Sequence, residues 1–419
     1  MTHAGPVRPD RTRRIVLGIG GGIAAYKVCN VLRCFTEMGH QVRVVPTKAA
    51  LRFVGAPTWD ALSGSPVHHD VFVDVAEVPH VRLGQTADLV LVAPATADLL
   101  ARASHGRADD LLTATLLTAR CPVLMVPAMH TEMWEHPATV HNVAVLRSRG
   151  TVVAQPASGR LTGVDSGPGR LPEPAEIVEL ATLLLHRADA LPWDLAGRQV
   201  VISAGGTREP LDPVRYLGSR SSGRQGYALA RVAAQRGARV TLVAAHTPDL
   251  IDPAGVEVVA VGTAREMREA VLKAAPGAHA VVMAAAVADF RPAHPRPSKI
   301  KKSGSVADPV SLILNPDILA ELVQRRPHGQ VVVGFAAETG DADGGVLAHG
   351  RAKLGRKRCD LLVVNAVGEG HGFEVEHNAG WLLGDDGAEI TLPDGPKTLL
   401  ASYVWDAVAA RLARKGQLQ

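Results

Sequence analysis

The chain has 419 residues, a length that favours two or three domains over one. Hydrophobic residues make up 47% of it and charged residues 21%, which allows substantial cores and excludes a disordered chain. A formal charge of +4 leaves no footprint of nucleic-acid binding and suits a phosphorylated small molecule as partner. The four cysteines, Cys29, Cys34, Cys121 and Cys359, show no pairing pattern, and no CxxC or HExxH spacing points to a structural zinc. No apolar run could span a bilayer, so a soluble cytoplasmic protein with no membrane partner is the default expectation. Residues 1–13 read as a disordered tail.

In chain order, a strand is expected over 15–18, a helix over 24–38 stopped by Gly39, and a second strand over 42–45. An apolar run follows over 89–93, then a helix from 96, a strand over 123–126 and a helix over 137–149. Runs of Val and Leu separated by helices predict a parallel sheet covered on both faces. Residues 187–198 read as a linker between a first domain over 14–186 and a second over 199–419. The second series has strands over 199–204, 240–243, 280–284, 331–335 and 361–365, a hairpin over 381–392 turning at Asp385, Asp386 and Gly387, and a last helix over 399–414. The basic, proline-containing segment 291–305 is expected to be a loop over a site. The fold class is α/β.

Two glycine-rich stretches carry most of the chemistry. Residues 205–226, GGTREPLDPVRYLGSRSSGRQG, lie after a predicted strand and before a predicted helix, where open α/β sheets bind ligands. They bring Arg208, Arg215, Arg220 and Arg224, the hydroxyls of Ser219, Ser221 and Ser222, and Gly223 just ahead of the helix. Arginines beside exposed helix amides suit phosphate. Residues 18–27, GIGGGIAAYK, let the backbone approach a phosphate in the same way. A dinucleotide fingerprint would need glycine where Ile23 stands and an acidic residue where Pro46 and Thr47 stand. The nicotinamide reading therefore fails, and the single phosphate of a mononucleotide fits better.

Together with EVPHVRLGQTAD around His80, APATADLLAR from Ala93 and PAMHTEMW over 127–134, the first stretch resembles the flavin-dependent cysteine decarboxylase family. The second resembles the ligase half of the bifunctional phosphopantothenoylcysteine decarboxylase/phosphopantothenate–cysteine ligase family of bacterial coenzyme A synthesis. The resemblance implies a flavodoxin-like, Rossmann-like flavoprotein domain followed by a second Rossmann-like α/β ligase domain. It implies FMN near Gly20, Gly21, Gly22, Thr47, Ala93, Pro94, Ala95 and Thr96, bound between subunits. His80 matches the family's catalytic histidine, and a near-neutral imidazole suits proton transfer. The implied chemistry oxidises the cysteine thiol to a thioaldehyde whose C=S accepts the electrons released with CO2; the flavin carries the difficult step. Three departures stand out: Gly20 replaces the usual serine, His130 replaces an asparagine of the substrate clamp, and the flap SGRLTGVDSGPGR has no cysteine. Thr162 is the nearest match to that cysteine. A hydroxyl is a far weaker acid than a thiol, so His130 or a water is the alternative proton donor.

For the ligase half, the resemblance implies activation of a carboxylate by a nucleoside triphosphate, usually CTP, with Mg2+ on the phosphates. The sequence itself does not distinguish CTP from ATP. The matching nucleotide positions are Ala284, Ala285, Asp289, Asn315, Pro316, Asp317, Ile318, Phe335, Lys353 and Lys357, with Asp289 also a metal contact. Lys299 of SKIKK is assigned to neutralise phosphate charge in the transition state. Arg215, Ser219, Ser221, Ser222 and Gly223 are assigned to the substrate; Ser219 replaces the family's asparagine and Arg224 its lysine. Trimeric decarboxylase and dimeric ligase contacts are implied, and these can close into a dodecamer. The alternatives are a diverged paralogue acting on another cysteine-containing acid and a non-catalytic scaffold.

Overall fold

The computed structural model describes residues 11–67, 70, 78–161, 165–301, 309–338, 345–366 and 377–416. Thr162 lies outside them, as do residues 1–10 of the expected tail and residues 302–305 of the basic segment. The chain forms two compact units, Met1–Trp193 and Asp194–Gln419. Among the described residues no helix is long and apolar enough to cross a membrane.

The first unit runs β1 (Arg14–Ile19), α1 (Ala25–Glu37), β2 (Gln41–Pro46), α2 (Ala56–Ser63), α3 (Pro79–Thr86), β3 (Leu89–Ala95), α4 (Ala97–Ser104) and α5 (Leu111–Thr118). It continues with β4 (Val123–Pro127), α6 (Thr131–Trp134), α7 (Pro137–Ser148), β5 (Val152–Val153), the hairpin β6 (Ala157–Arg160) and β7 (Ser166–Arg170), and α8 (Pro174–His186). The five main strands are all parallel, in the order β2-β1-β3-β4-β5. That is the flavodoxin-like order. Every residue of β3 is buried, as expected of a strand covered by helices on both faces. α1 turns a stripe of Val28, Val31, Leu32 and Phe35 inward. Val16, Val90, Val92, Leu99, Leu112 and Met125 form part of the core.

The second unit starts with β8 (Gln199–Gly205), β9 (Arg208–Pro210), β10 (Tyr216–Gly218), α9 (Arg224–Gln235), β11 (Arg239–Ala245), β12 (Val256–Val261) and α10 (Ala264–Ala274). Then come β13 (Ala280–Met283), β14 (Phe290–Pro292), β15 (Leu312–Leu314), α11 (Ile318–Arg325), β16 (Val331–Glu338) and α12 (Val346–Lys357). β17 (Leu361–Ala366), β18 (His377–Gly384), β19 (Glu389–Pro396) and α13 (Lys397–Gly416) complete it. The sheet order is β12-β11-β8-β13-β16-β17-β18-β19. Its first six strands are parallel, in the doubly wound dinucleotide-fold order, and β18 and β19 are antiparallel additions at one edge.

Two elements go beyond the sequence reading. Within the 205–226 stretch, read as a polar, glycine-rich loop, β9 and β10 pair as a short antiparallel ribbon. β12 is an edge strand that the sequence reading omits; its residues are half-buried or exposed, which removes the apolar signature of the buried strands.

Candidate active sites

In each sheet, strand order reverses beside the first strand of its unit, and ligands bind open α/β sheets outside the carboxyl ends of strands at such a point. In the first unit the reversal lies between β1 and β3. The Gly20 amide donates to the Pro94 carbonyl (3.0 Å), and a Cβ built on Gly20 would sit 2.2 Å from that oxygen. The missing serine is therefore tied to backbone contact: a side chain here must displace the end of β3. Gly21 is bare for a similar reason, facing the Cβ of Ala49 at 2.3 Å, whereas Gly22 has ordinary clearance from Thr96.

Ahead of α1, the amides of Gly21, Ile23 and Ala24 donate to no carbonyl among the described residues, and the N-cap Ala24 offers no side-chain cap. Three open amides at a helix N-terminus fit a phosphate. Thr47 lies at the mouth, but its hydroxyl is engaged, donating to the Ile19 carbonyl (3.2 Å) and accepting from the Ala50 amide (3.2 Å). It ties β2 to β1. Ala93, Pro94 and Ala95 are buried, and Thr96 caps α4 by accepting from the Leu99 amide. These residues shape the crevice through backbone, not side-chain donors.

His80 lies in the first turn of α3, with its carbonyl accepting from Thr118 Oγ1 (2.7 Å). Its Nδ1 is buried and has no hydrogen-bond partner among the described residues. A buried ring nitrogen without a partner is uncommon and fits a site that a ligand completes. His130 is the N-cap of α6 and makes no capping bond with its side chain. The β6–β7 hairpin is pinned beside it: the Met129 amide donates to the Gly169 carbonyl (2.9 Å) and Thr131 Oγ1 to the Pro168 carbonyl (2.8 Å). Thr162, in sequence between β6 and β7, lies outside the described residues.

In the second unit the reversal lies between β8 and β13, and the two strands are laced together beyond their ends. The Ala286 amide donates to the Gly205 carbonyl (2.8 Å), the Thr207 amide to the Ala286 carbonyl (3.2 Å), and the Ala288 amide to Thr207 Oγ1 (2.9 Å). Gly205 takes φ +81°, and a Cβ there would lie 1.9 Å from the Ala245 carbonyl oxygen. A cavity of about 150 Å³ opens beside this lacing. Ser221, Ser222, Gly223, Ala284, Ala285 and Phe335, which the sequence reading assigns to nucleotide or substrate, line it together. Arg224, Gln225, Asn365, Asn378 and Lys397 line it as well. Apart from Arg224, the sequence reading missed them: they come from separate elements, and nothing local marks them.

The remaining predicted residues fall into three groups. Asn315 braces β14 to β15, donating from Nδ2 to the Ala288 carbonyl (2.8 Å) and accepting from Arg291 (2.9 Å), while its amide donates to the carbonyl of exposed Asp289 (2.8 Å). Among the described residues no three acidic, histidine or cysteine groups cluster as a metal site. Asp317, after Pro316, caps α11 at Ile318 and pairs with Lys357; Lys353 pairs with Glu338 at 3.0 Å. Burial would raise the Asp317 carboxyl, but Lys357 and the Ala320 amide outweigh it and hold it below the usual range.

Arg215 forms the third group. Its Nε and Nη2 both donate to Asp212 (3.0 and 2.7 Å), and Nη2 also donates to the Ile300 carbonyl (2.7 Å). Asp212 in turn accepts from the Ile300 amide (3.1 Å). The pair clasps the basic segment next to Lys299, which is exposed and does not line the cavity. Ser219 is exposed at the end of the ribbon.

Residues 195–412 match the family model described as DNA/pantothenate metabolism flavoprotein C-terminal domain, and residues 4–186 match the flavoprotein model. The chain is 67% identical over 405 residues to the "Coenzyme A biosynthesis bifunctional protein CoaBC" of Mycolicibacterium smegmatis, covering 96% of this chain and 98% of that one. It is 40% identical over 410 residues to the protein of that description from Escherichia coli, covering 97% and 98%. A crystal structure of the C-terminal domain of a protein so described is 32% identical, with a TM-score of 0.44, covering 53% of this chain and 98% of that one.

Proposed function

The chain belongs to the family of bifunctional coenzyme A biosynthesis enzymes, decarboxylase and ligase in one polypeptide, and we propose how its two crevices divide that work. The second unit joins 4′-phosphopantothenate to cysteine with CTP, through an acyl-cytidylate. The first unit, a flavoprotein domain, decarboxylates the product to 4′-phosphopantetheine with FMN as its flavin. The observation that supports this reading is that part of each motif set lies at a strand-order reversal, Gly20 to Gly22 beside Pro94 and Thr96 in the first unit and Ser221, Ser222, Gly223, Ala284 and Ala285 in the second.

FMN fits the first crevice because one phosphate matches the three open amides before α1 and because Gly20 and Gly21 leave no side chain between backbone and ligand. When bound, it supplies reversible two-electron oxidation of the cysteine thiol. His80 acts at that thiol as general base, with its buried Nδ1 completed by a ligand group. His130, free of capping duty, donates to the substrate carboxylate. The hairpin anchored at Met129 and Thr131 flanks the substrate. His130, a stronger acid than the Thr162 hydroxyl, or a water placed to relay a proton serves the final protonation.

In the ligase crevice the open amides of Arg224, Gln225 and Gly226 and the side chains of Ser221 and Ser222 bind phosphate or acyl oxygens. Ser219 and Arg215 serve the substrate from the ribbon. Ala284, Ala285, Pro316, Ile318 and Phe335 contact the nucleotide, with Asp289 taking Mg2+. Lys353 and Lys357 exchange their present carboxylate partners for nucleotide contacts. Lys299 enters from the clasped segment to neutralise phosphate charge in the transition state.

We propose a cytoplasmic homo-oligomer, with trimeric contacts in the first unit and dimeric contacts in the second. Ile23 and Tyr26 beside the first crevice are 67% and 59% exposed, and Leu314 on the β14–β15 ribbon is 71% exposed. Apolar side chains so open beside sites favour coverage by a second copy. Paired variants test the division of labour. His80→Asn should accumulate phosphopantothenoylcysteine while CMP still forms; Lys299→Gln should slow CMP release yet leave decarboxylation of supplied phosphopantothenoylcysteine intact. Loss of both activities in either variant would contradict it.

A further inference from the structure

The second unit's cavity has a cation that no motif explains. Lys397 begins α13, a helix of 20 residues, and is only 8% exposed. Its ammonium has no hydrogen-bond or carboxylate partner among the described residues. Burial lowers its pKa, and the nearby Arg224 guanidinium lowers it further. Arg224 begins α9, also without a partner among the described residues, and lines the same cavity. Among the described residues no aspartate or glutamate lines that cavity.

Two helix N-termini thus meet two cations in one small space, so each helix dipole adds to the positive potential there. Lysine is disfavoured at a helix N-terminus and more so when buried without a counter-ion. Asn365 adds a second incomplete group: its Oδ1 is buried with no partner among the described residues. Its own amide nitrogen and Asn378 Nδ2, which donates to Gln225 Oε1 (3.3 Å), give the cavity neutral amide groups beside its cations. A water could satisfy the Asn365 oxygen, but no water removes the charge on Lys397. An anion does.

We propose that Lys397 is a phosphate-binding residue of the ligase crevice, closing with Arg224 around a phosphoryl group carried by one of the two phosphorylated substrates. This rests on the ligase reading for its substrates but not for the existence of the anion site. The phosphoryl group comes either from the nucleotide triphosphate or from the 4′-phosphate of the acid, and the two sources separate kinetically.

The test uses the full chain, with tripolyphosphate and inorganic phosphate as probes in calorimetry and with separate KM measurements for CTP and 4′-phosphopantothenate. Lys397→Met removes the charge and keeps the stem, and replacing an unpaired buried ammonium should not unfold the unit. It should weaken binding of a probe by about tenfold to a hundredfold, the worth of one charge-assisted hydrogen bond, while Lys397→Arg retains it within a few-fold. A matching rise in KM for CTP identifies the triphosphate, and a rise for the acid identifies the 4′-phosphate. Arg224→Gln should show the same loss and decides the matter if Lys397→Met does not fold. Unchanged probe binding and unchanged KM values in Lys397→Met, or in Arg224→Gln if it must decide, would overturn the proposal. Lysine-dependent tripolyphosphate binding in a parent chain that turns over no nucleotide would sustain the anion site and refute the ligase reading.

Discussion

Replacing Gly205 with alanine should damage the ligase crevice alone. Gly205 ends β8 with φ +81°, a conformation that costs an L-residue about 1–2 kcal/mol. The new Cβ would also lie 1.9 Å from the Ala245 carbonyl oxygen, a ladder neighbour that cannot rotate away. Overpacking of this kind costs about 1–3 kcal/mol. The sum is roughly 2–5 kcal/mol, borne where the Gly205 carbonyl accepts from the Ala286 amide to form the crevice floor. Hydrogen exchange on the intact chain should show protection of the β8 and β13 amides falling by roughly two to three orders of magnitude. CMP formation should fall with it, while decarboxylation of supplied phosphopantothenoylcysteine continues. Exchange rates within a few-fold of the parent would refute the reasoning, since the strain would then have been absorbed without moving β11.

Three further outcomes are expected. Burial pushes the Cys359 thiol up to about 11, so at pH 8 only about one thiol in a thousand is ionised; in the native chain iodoacetamide should label it far more slowly than once urea has unfolded it, as peptide mass spectrometry can read. Asp317→Asn keeps a capping side chain but loses the charge facing Lys357. Because the folded carboxyl is held below its usual value, the pair's contribution is present at neutral pH and fades as pH falls below about 4. Half-exposed as it is, the loss should be about 0.5–1 kcal/mol at pH 7 and smaller at pH 4 by urea unfolding. Trp405 is fully buried between α13 and α9, with Nε1 donating to the Leu229 carbonyl (2.9 Å). Trp405→Ala should cost the second unit about 3–5 kcal/mol in urea denaturation.

The main strands were legible because parallel, doubly covered strands are continuous apolar runs, and β3 and β13 have no exposed residue. β12 was not, because an edge strand carrying Glu257 among half-exposed valines lacks that signature. The β9–β10 ribbon hid behind turn residues: its three-residue strands are too short for periodicity, and Asp212 holds them through contacts reaching 88 residues along the chain. At the sites, glycines and serines around helix N-termini announced themselves in sequence because the chemistry is local there. Asn365, Asn378 and Lys397 did not, since only the sheet order brings β17, β18 and the start of α13 to the mouth of β8. Arg215 shows the opposite limit: its motif was evident, but its commitment to Asp212 and Ile300 was not.

The most direct test incubates the intact chain with FMN, CTP, Mg2+, cysteine and 4′-phosphopantothenate and follows the products by mass spectrometry over time. The account predicts CMP together with phosphopantothenoylcysteine, followed by 4′-phosphopantetheine, despite a flap that carries no cysteine. No CMP, with 4′-phosphopantothenate unconsumed, would contradict it.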